Sequence, residues 1–503
     1  MQRSLLLPPS DIIESVGDLQ QEVQNIHFDS RAVGAGDAFV AVKGASTDGH
    51  RFIEAAIEKG ATLIVCETLP EKRLDSVGYV RVKDSAETLG QMAAAWYGNP
   101  SERMKVVGVT GTNGKTTITT LLHQLFTALG YRCGMLGTVE NRIGDTVVAS
   151  THTTPDSLQL HRLLNEMADA GCQYVFMEVS SHAIHQRRIA GVTFKGAVFS
   201  NLTHDHLDYH GTFANYRDAK KRFFDDLPPG AFALVNSDDR NGLVMLQNTR
   251  AEKYTYSLRK MAHFKGKILE NAIEGLHLTI DDVEIHARMI GEFNAYNLLA
   301  AYAAAQLSGM DKMETLTALS DLEPPRGRFQ IIRGAGIPAR EDVSTARDAG
   351  GPAVIIGIVD YAHTPDALKN VLGTINATCR DEQRVITVVG CGGDRDRTKR
   401  PIMARIAAEM SHQVVLTSDN PRSEEPGAII DEMRAGLAAG DLSRVFINAD
   451  RREAIRMAVG LARPGDVVLV AGKGHETYQE VKGVKHPFDD AAVLKETLEL
   501  MHK

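Results

Sequence analysis

Two sets of short apolar runs set the strongest limit on what this chain can fold into. KVVGV, YVFMEV, GAVFSNL and AFALVN lie in its middle, and AVIIGIV, RVITVVG, QVVLTS and DVVLVAG lie in its last third. Each is too short for a buried helix, and helix-length stretches separate them. That pattern predicts an α/β fold of parallel strands covered on both faces. Each run of the second set passes straight into polar residues: DYAHTPD, CGGDRDRTKRP, DNPRSEEP and KGHE. In an open parallel sheet the carboxyl ends of the strands share one edge, where ligands bind, so these four motifs are expected to converge on one site.

A chain of 503 residues exceeds a single hydrophobic core. Three domains are expected. Residues 1–100 carry the strand-like runs AFVAV, TLIVC and YVRV and the helical pattern FIEAAIEKG, a small α/β domain ending at the turn cluster Gly98-Asn99-Pro100-Ser101. Residues 101–333 form a central domain whose strongest helix candidate is GEFNAYNLLAAYAAAQ. Residues 334–503 form a third α/β domain of Rossmann-like pattern, entered after Pro324-Pro325-Arg326-Gly327-Arg328 through a loop near 334–352 rich in small and charged residues. The net charge of -8 shows no block of one sign, which argues against a nucleic-acid platform. The N-terminal apolar run is too short for a signal segment and no stretch approaches a membrane span. Five cysteines lie far apart without a CxxC or zinc spacing, as expected of reduced, mostly buried thiols in a cytosolic protein; a monomer is expected, on no feature of the sequence.

Residues 106–117, VVGVTGTNGKTT, nearly match the phosphate-loop pattern G-x-x-x-x-G-K-[ST] but place Val109 where its first glycine should stand. The context is nevertheless that of a phosphate loop. An apolar strand enters Gly111-Thr112-Asn113-Gly114, and Lys115-Thr116-Thr117 opens a helix that ends at a glycine. Backbone N–H groups and the helix N-terminus would face an anion, Lys115 would neutralise phosphate, and Thr116 would offer its hydroxyl to Mg²⁺. Glu178, after YVFM, and His206, in NLTHDHLDYHG, stand at strand ends as candidate cation ligands; taken singly, each reads more readily as an ordinary polar loop residue, and the phosphate loop reverses that balance.

The string G-x-x-G-T-N-G-K-T-T resembles the ATP loop of the Mur ligase family, the ATP-dependent amide-bond-forming enzymes of peptidoglycan synthesis, and the later motifs fall in that family's order along the whole chain. The resemblance implies three domains that bind the UDP-sugar peptide, ATP and the incoming amino acid. It implies that Glu178 holds Mg²⁺ with Thr116, and that His206 serves a second Mg²⁺. It also implies that Lys220, in YRDAKKRFF, is carboxylated to an anionic metal ligand; from sequence alone Lys220 reads as a solvated helix lysine. Asn294 and Asn297 match residues that meet adenine or place their helix, and read otherwise as helix-surface asparagines. Arg328 and Asp360 match positions that approach ATP.

For substrates, the resemblance places Ser30 and the turn Ala45-Ser46-Thr47 near the uridine nucleotide, and Thr153, Thr154, Ser180, Gln186 and Arg188 around the sugar-peptide. A planar guanidinium such as that of Arg188 suits a carboxylate or phosphate. Asp419-Asn420-Pro421-Arg422 is the pattern of the members that add meso-diaminopimelate. Its arginine would pair with the distal carboxylate, Asp419 and Glu476 would receive the ammonium, and Arg395 and Gly472 would make further contacts; D-N-P-R in general is a helix-capping turn. The expected reaction is addition of meso-diaminopimelate to the D-Glu γ-carboxylate of UDP-MurNAc-L-Ala-D-Glu, through an acyl phosphate, with ATP and Mg²⁺. The rivals are a lysine-adding member of the family, a folylpolyglutamate synthase-like ligase, and a nucleotide switch that ligates nothing.

Overall fold

The computed structural model describes residues 6–7, 11–17, 22–44, 47–150, 152–203, 207–273, 275–333, 354–380 and 382–501. The loop near 334–352, Ala45, Ser46 and His206 lie outside the described residues. The chain forms two compact units, Met1–Lys265 with Tyr296–Leu319, and Gly266–Ala295 with Ser320–Lys503.

The first unit holds two sheets. In the smaller, strands run in the order Ile12–Val16, Gly78–Val82, Leu63–Cys66, Ala38–Val40, Ile26–His27, antiparallel at the first pair and parallel thereafter. Leu89 and Met92, from the helix Ser85–Trp96, join one apolar core, while Ile53 and Ala56, from Ile53–Glu58, join the other, so both faces are covered. In the larger sheet, Lys105–Thr110 lies between Phe194–Phe199 and Tyr174–Glu178, with all three parallel. Phe232–Asn236 and Glu252–Ser257 extend the sheet on one side and Cys133–Leu136 on the other. Strand order therefore reverses at Lys105–Thr110, and the carboxyl end of that strand is the crevice where such sheets bind ligands.

The two sheets are locked by close helix packing. A Cβ on Gly90 would lie 2.5 Å from both Ala190 Cβ and Ala190 O, which requires glycine there. Arg187, itself in the left-handed region at φ 58°, reaches Asp84 and Glu87 at 3.3 Å each and Asp226 at 3.9 Å. Next to this seam, His161 is fully buried and its Nε2 lies 2.9 Å from the Ala190 carbonyl oxygen. Burial pushes His161 from 6.5 down to about 4, opposed by that hydrogen bond, and burial does the same to His123. Between those values the unfolded chain binds protons that the folded chain refuses. Stability is therefore full above pH 6.5 and falls as pH drops towards 4, by on the order of 1 kcal/mol per pH unit for each such histidine. Urea unfolding at stepped pH is expected to show this slope and His161→Gln to flatten it; a variant with the parent's slope would contradict the assignment.

In the second unit, Gln330–Arg333 pairs antiparallel with Ile356–Asp360, and Val467–Ala471, Val385–Cys391, Gln413–Ser418 and Val445–Ile447 follow in parallel. Pro365–Thr378, Lys399–Met410 and Pro426–Arg434 pack one face, and Arg451–Leu461 with Asp490–Met501 the other. The α/β reading holds, but the sheets are mixed. The antiparallel additions, such as Asn141–Ile143 with Thr146–Val148 and Tyr478–Val481 with Val484–Pro487, are short, partly exposed hairpins whose polar sequences carry little apolar signal. All five cysteines are free. Burial pushes Cys66 to about 11 and Cys133 and Cys391 to about 12, so these thiols stay protonated. No helix among the described residues is long and apolar enough to cross a membrane.

Candidate functional site

The loop after Lys105–Thr110 has the backbone its glycines allow. Gly111 and Gly114 sit at φ 152° and 89°, and a Cβ on either would strike Ser200 Oγ at 1.9 Å or Asn297 Oδ1 at 2.7 Å. The neighbouring strand end holds the loop in place. Thr112 N donates to Asn201 O at 2.8 Å, Asn113 N to Asn201 Oδ1 at 3.0 Å, and Ser200 Oγ to Asn113 O at 2.5 Å. Helix Lys115–Ala128 begins at the loop's end and closes near Gly130, as the sequence indicates. Lys115 Nζ donates to the carbonyl oxygens of Gly111 and Thr112, both at 2.9 Å, folding back over the loop where an anion would lie.

Glu178, at the carboxyl end of the adjacent strand, is only 1% exposed. Its carboxylate accepts from Thr116 Oγ1 at 3.0 Å, from Thr138 N at 2.7 Å and from Thr138 Oγ1 at 3.2 Å. A buried carboxylate beside a loop hydroxyl is a hard oxygen pair. Among the described residues no group of three or more His, Cys, Asp or Glu side chains could hold a metal. A cation here would therefore complete its shell with phosphate or water oxygens, which is how Mg²⁺ binds.

Lys220 departs from the solvated lysine that its sequence suggests. It is 1% exposed on the helix Phe213–Asp225. Its Nζ donates to Gly111 O at 3.0 Å and to Thr110 Oγ1 at 3.4 Å, and lies 4.9 Å from the Tyr216 ring centroid. The reason is helical spacing: Tyr216, Lys220, Phe223 and Phe224 share the buried face.

A second cluster continues from Glu178. Thr154 Oγ1 donates to Glu178 O at 2.8 Å and accepts from Ser180 N at 3.2 Å, while Thr153 Oγ1 accepts from Thr138 Oγ1 at 3.0 Å. Arg188 donates to Gln186 Oε1 at 2.9 and 2.7 Å and to Thr154 O at 3.0 Å. Both partners are neutral, and burial pushes the guanidinium's pKa down. Gln186 Nε2 in turn donates to the Tyr209 hydroxyl at 2.9 Å. Ser30 and Thr47 lie in loops that follow the paired parallel strands Ile26–His27 and Ala38–Val40, so they leave the same sheet edge.

Near the start of the helix Glu292–Leu307, Asn294 Nδ2 donates to Ile290 O at 2.8 Å, a contact that fixes the helix start. In the second unit, Arg328 and Asp360 lie close together. Asp360 accepts from Phe329 N at 2.7 Å, and burial raises its pKa against the pull of Arg328. The Arg328 guanidinium stacks 4.6 Å from the Tyr361 ring. His475 packs on the other partner of this group, 5.0 Å from Tyr361, and burial with nearby cations pushes it down to about 4.

The D-N-P-R turn follows Gln413–Ser418. Asn420 Nδ2 donates to Glu476 Oε2 at 2.7 Å, and the fully buried Lys473 donates to Asn420 Oδ1 at 3.0 Å and Glu476 Oε2 at 2.9 Å. Gly472, at φ 118°, has no room for a side chain because a Cβ would meet Asp419 Oδ2 at 2.6 Å. Arg422 is held at φ 52°, a left-handed conformation that costs a non-glycine residue roughly 1–2 kcal/mol. Its Nη1 donates to Gly393 O at 2.7 Å, and its Nε lies 3.8 Å from Glu480 Oε2. Pro421 lies over Gly393, where a Cβ would be 1.9 Å from Pro421 O. Arg395 is exposed on the neighbouring GGDRD loop. The strand-end motifs GGDRD, D-N-P-R and GKGHE thus do meet on one edge, while DYAHTPD joins them through Tyr361 and His475.

Sequence reasoning overlooked Thr138, Asn201, Tyr209 and Lys473. The last three lie inside motifs already singled out, NLTHDHLDYHG and GKGHE, so their position was the available signal; for Thr138 there was none.

Comparison with known proteins follows the same order along the chain. The Mur ligase family catalytic domain matches residues 22–97, the Mur ligase middle domain 109–305, and the Mur ligase glutamate ligase domain 344–474. A UDP-N-acetylmuramoyl-L-alanyl-D-glutamate–2,6-diaminopimelate ligase of Cytophaga hutchinsonii is 54% identical over 504 residues, covering 100% of both chains. A ligase of the same name from Bacteroides thetaiotaomicron is 53% identical over 98% of each. A solved structure bearing that name is 34% identical, covers 98% of each chain and superposes with a TM-score of 0.69.

Proposed function

The chain belongs to the Mur ligase family, and we propose that it joins meso-2,6-diaminopimelate to the D-Glu γ-carboxylate of UDP-MurNAc-L-Ala-D-Glu at the expense of ATP, making a peptidoglycan precursor in the cytoplasm as a monomer. The observation that carries this reading is the D-N-P-R turn, with Arg422 held in a left-handed backbone beside the Asn420–Lys473–Glu476 network, in a chain similar along its full length to diaminopimelate ligases.

An amine does not condense with a carboxylate in water because the oxide leaving group is too poor. The γ-carboxylate of D-Glu attacks the γ-phosphorus of ATP, forming an acyl phosphate and releasing ADP. The α-amino group at the L-centre of diaminopimelate then adds to the acyl carbon, and the tetrahedral intermediate expels inorganic phosphate. Lys115 and the backbone N–H groups of residues 114–117 at the start of the helix, which Asn201 does not engage, cradle the phosphates and stabilise the charge of the transfer. Thr116 and Glu178 would hold Mg²⁺, which neutralises phosphate charge when bound, with His206 and a carboxylated Lys220 assigned to a second cation. Asn294, Asn297, Arg328 and Asp360 serve ATP. Ser30, Ala45, Ser46 and Thr47 serve the uridine nucleotide, and Thr153, Thr154, Ser180, Gln186 and Arg188 the sugar-peptide.

Selection of the amino acid rests on Arg422 meeting the distal carboxylate, with Arg395 beside it, while Asp419, Glu476 and the Gly472 turn receive the ammonium. L-Lysine lacks the distal carboxylate and forgoes the charge-assisted contact with the Arg422 guanidinium, and a site built for such a contact discriminates strongly against an analogue without it. The test is a phosphate-release assay with UDP-MurNAc-L-Ala-D-Glu, ATP and either meso-diaminopimelate, L-lysine or L-ornithine. Release is expected with meso-diaminopimelate and to be at least a hundredfold weaker with the others, on the order that a missing charged contact gives. Preference for lysine would overturn the substrate, and amino-acid-independent ATP turnover would overturn the ligase reading.

A further inference from the structure

The hairpin Tyr478–Val481 with Val484–Pro487 belongs to none of the motifs that define the site, yet it is fastened along the D-N-P-R turn. Gln479 Nε2 donates to Asp419 O at 2.6 Å, and Glu480 N donates to Asn420 Oδ1 at 2.9 Å. Arg422 N donates to Glu480 O at 3.0 Å, and Lys482 N donates to Arg422 O at 2.6 Å. Arg422 and Val481 thereby form a parallel bridge. The last two bonds grip both peptide groups of the residue held at φ 52°, a conformation that persists only where its surroundings over-determine it. The hairpin's own turn, Lys482-Gly483 at φ 50° and 78°, is of the two-residue type that sets strand register. Register matters because a slip would move Glu480 and Lys482 off Arg422.

We propose that this hairpin is the positioning element of the distal-carboxylate site, with Gln479 the positioning residue that secures it. Gln479 acts through Asp419 and Arg422 and touches no substrate. The inference rests on the reading of Arg422 given under the proposed function. It predicts that loosening the hairpin weakens recognition of the group that only diaminopimelate carries, and leaves the slow reaction of L-lysine alone.

The experiment compares kcat/KM for meso-diaminopimelate and L-lysine, together with KM for ATP, in the full-length protein and in Gln479→Ala, Gly483→Val, Gly483→Asn and Arg422→Ala. Loss of one well-made hydrogen bond corresponds to about a tenfold change. Gln479→Ala is expected to raise KM for diaminopimelate about tenfold and to lower the diaminopimelate-to-lysine ratio by the same factor, with KM for ATP unchanged. Gly483→Val, which cannot hold the positive φ, is expected to do at least as much. Gly483→Asn, which tolerates that backbone and whose Cβ would meet nothing within 4 Å, is expected to restore the ratio. A ratio unmoved by Gln479→Ala while Arg422→Ala collapses it would overturn the proposal. A ratio unmoved by Arg422→Ala would overturn the reading of Arg422 instead. Should Gly483→Val fail to fold, Gln479→Ala decides alone, because it leaves the backbone intact.

Discussion

Lys220→Ala is expected to abolish ligation, lowering kcat by about a thousandfold or more, and added bicarbonate is expected not to restore it. A thousandfold loss is about 4 kcal/mol of transition-state stabilisation, the order found when a preorganised charge is removed from a phosphoryl-transfer site. The geometry gives the reason. Lys220 and Lys115 both direct their Nζ at the carbonyl oxygen of Gly111, at 3.0 and 2.9 Å. Two ammonium groups on one acceptor repel each other in a buried setting where water screens them poorly. Carboxylation of Lys220 would turn one of them into an anion, relieving that repulsion and adding a hard oxygen ligand beside the loop. Alanine has no amine to take up CO₂, so bicarbonate has nothing to act on. Measurement of phosphate release with and without bicarbonate checks this, and a variant with near-normal turnover would refute the role. ATP affinity should hold within a few-fold, since the loop itself is fixed by Ser200 and Asn201.

Arg422→Ala is expected to depress kcat/KM for meso-diaminopimelate by about a hundredfold or more while leaving KM for ATP unchanged. Removing one member of a desolvated, hydrogen-bonded charge pair costs roughly 2–5 kcal/mol. The guanidinium is aimed in advance: its Nη1 is anchored on Gly393 O, and a Cβ on Gly392 would lie 2.9 Å from that same nitrogen. Arg422→Lys keeps the charge but loses the planar fork, so it is expected to recover only part of the loss. An unchanged apparent affinity for diaminopimelate in Arg422→Ala would count against the assignment, as would an equal loss with L-lysine, which offers no distal carboxylate to the arginine.

Much of this molecule could be read from local pattern. Fully buried parallel strands such as Val467–Ala471 need unbroken apolar runs, and a phosphate loop needs glycines where backbone must approach its neighbours, as at Gly111 and Gly114. These demands fall on consecutive residues, so they are legible one after another. Even the burial of Lys220 was latent in the spacing of Tyr216, Phe223 and Phe224 around it. The sequence alone thus determined the α/β class, the loop, and the strand-end motifs.

Which side chains those motifs would meet was decided only by the tertiary structure. Thr138 reaches Glu178 across 40 residues, Asn420 reaches Glu476 across 56, and Gln479 reaches Asp419 across 60. Strand order and register create these contacts, and no periodicity within a short window encodes which strand ends become neighbours. A hydrogen bond lasting over such separations depends on the whole sheet having closed, which is why the partners of Glu178 and the hairpin behind Arg422 became visible only in the folded chain.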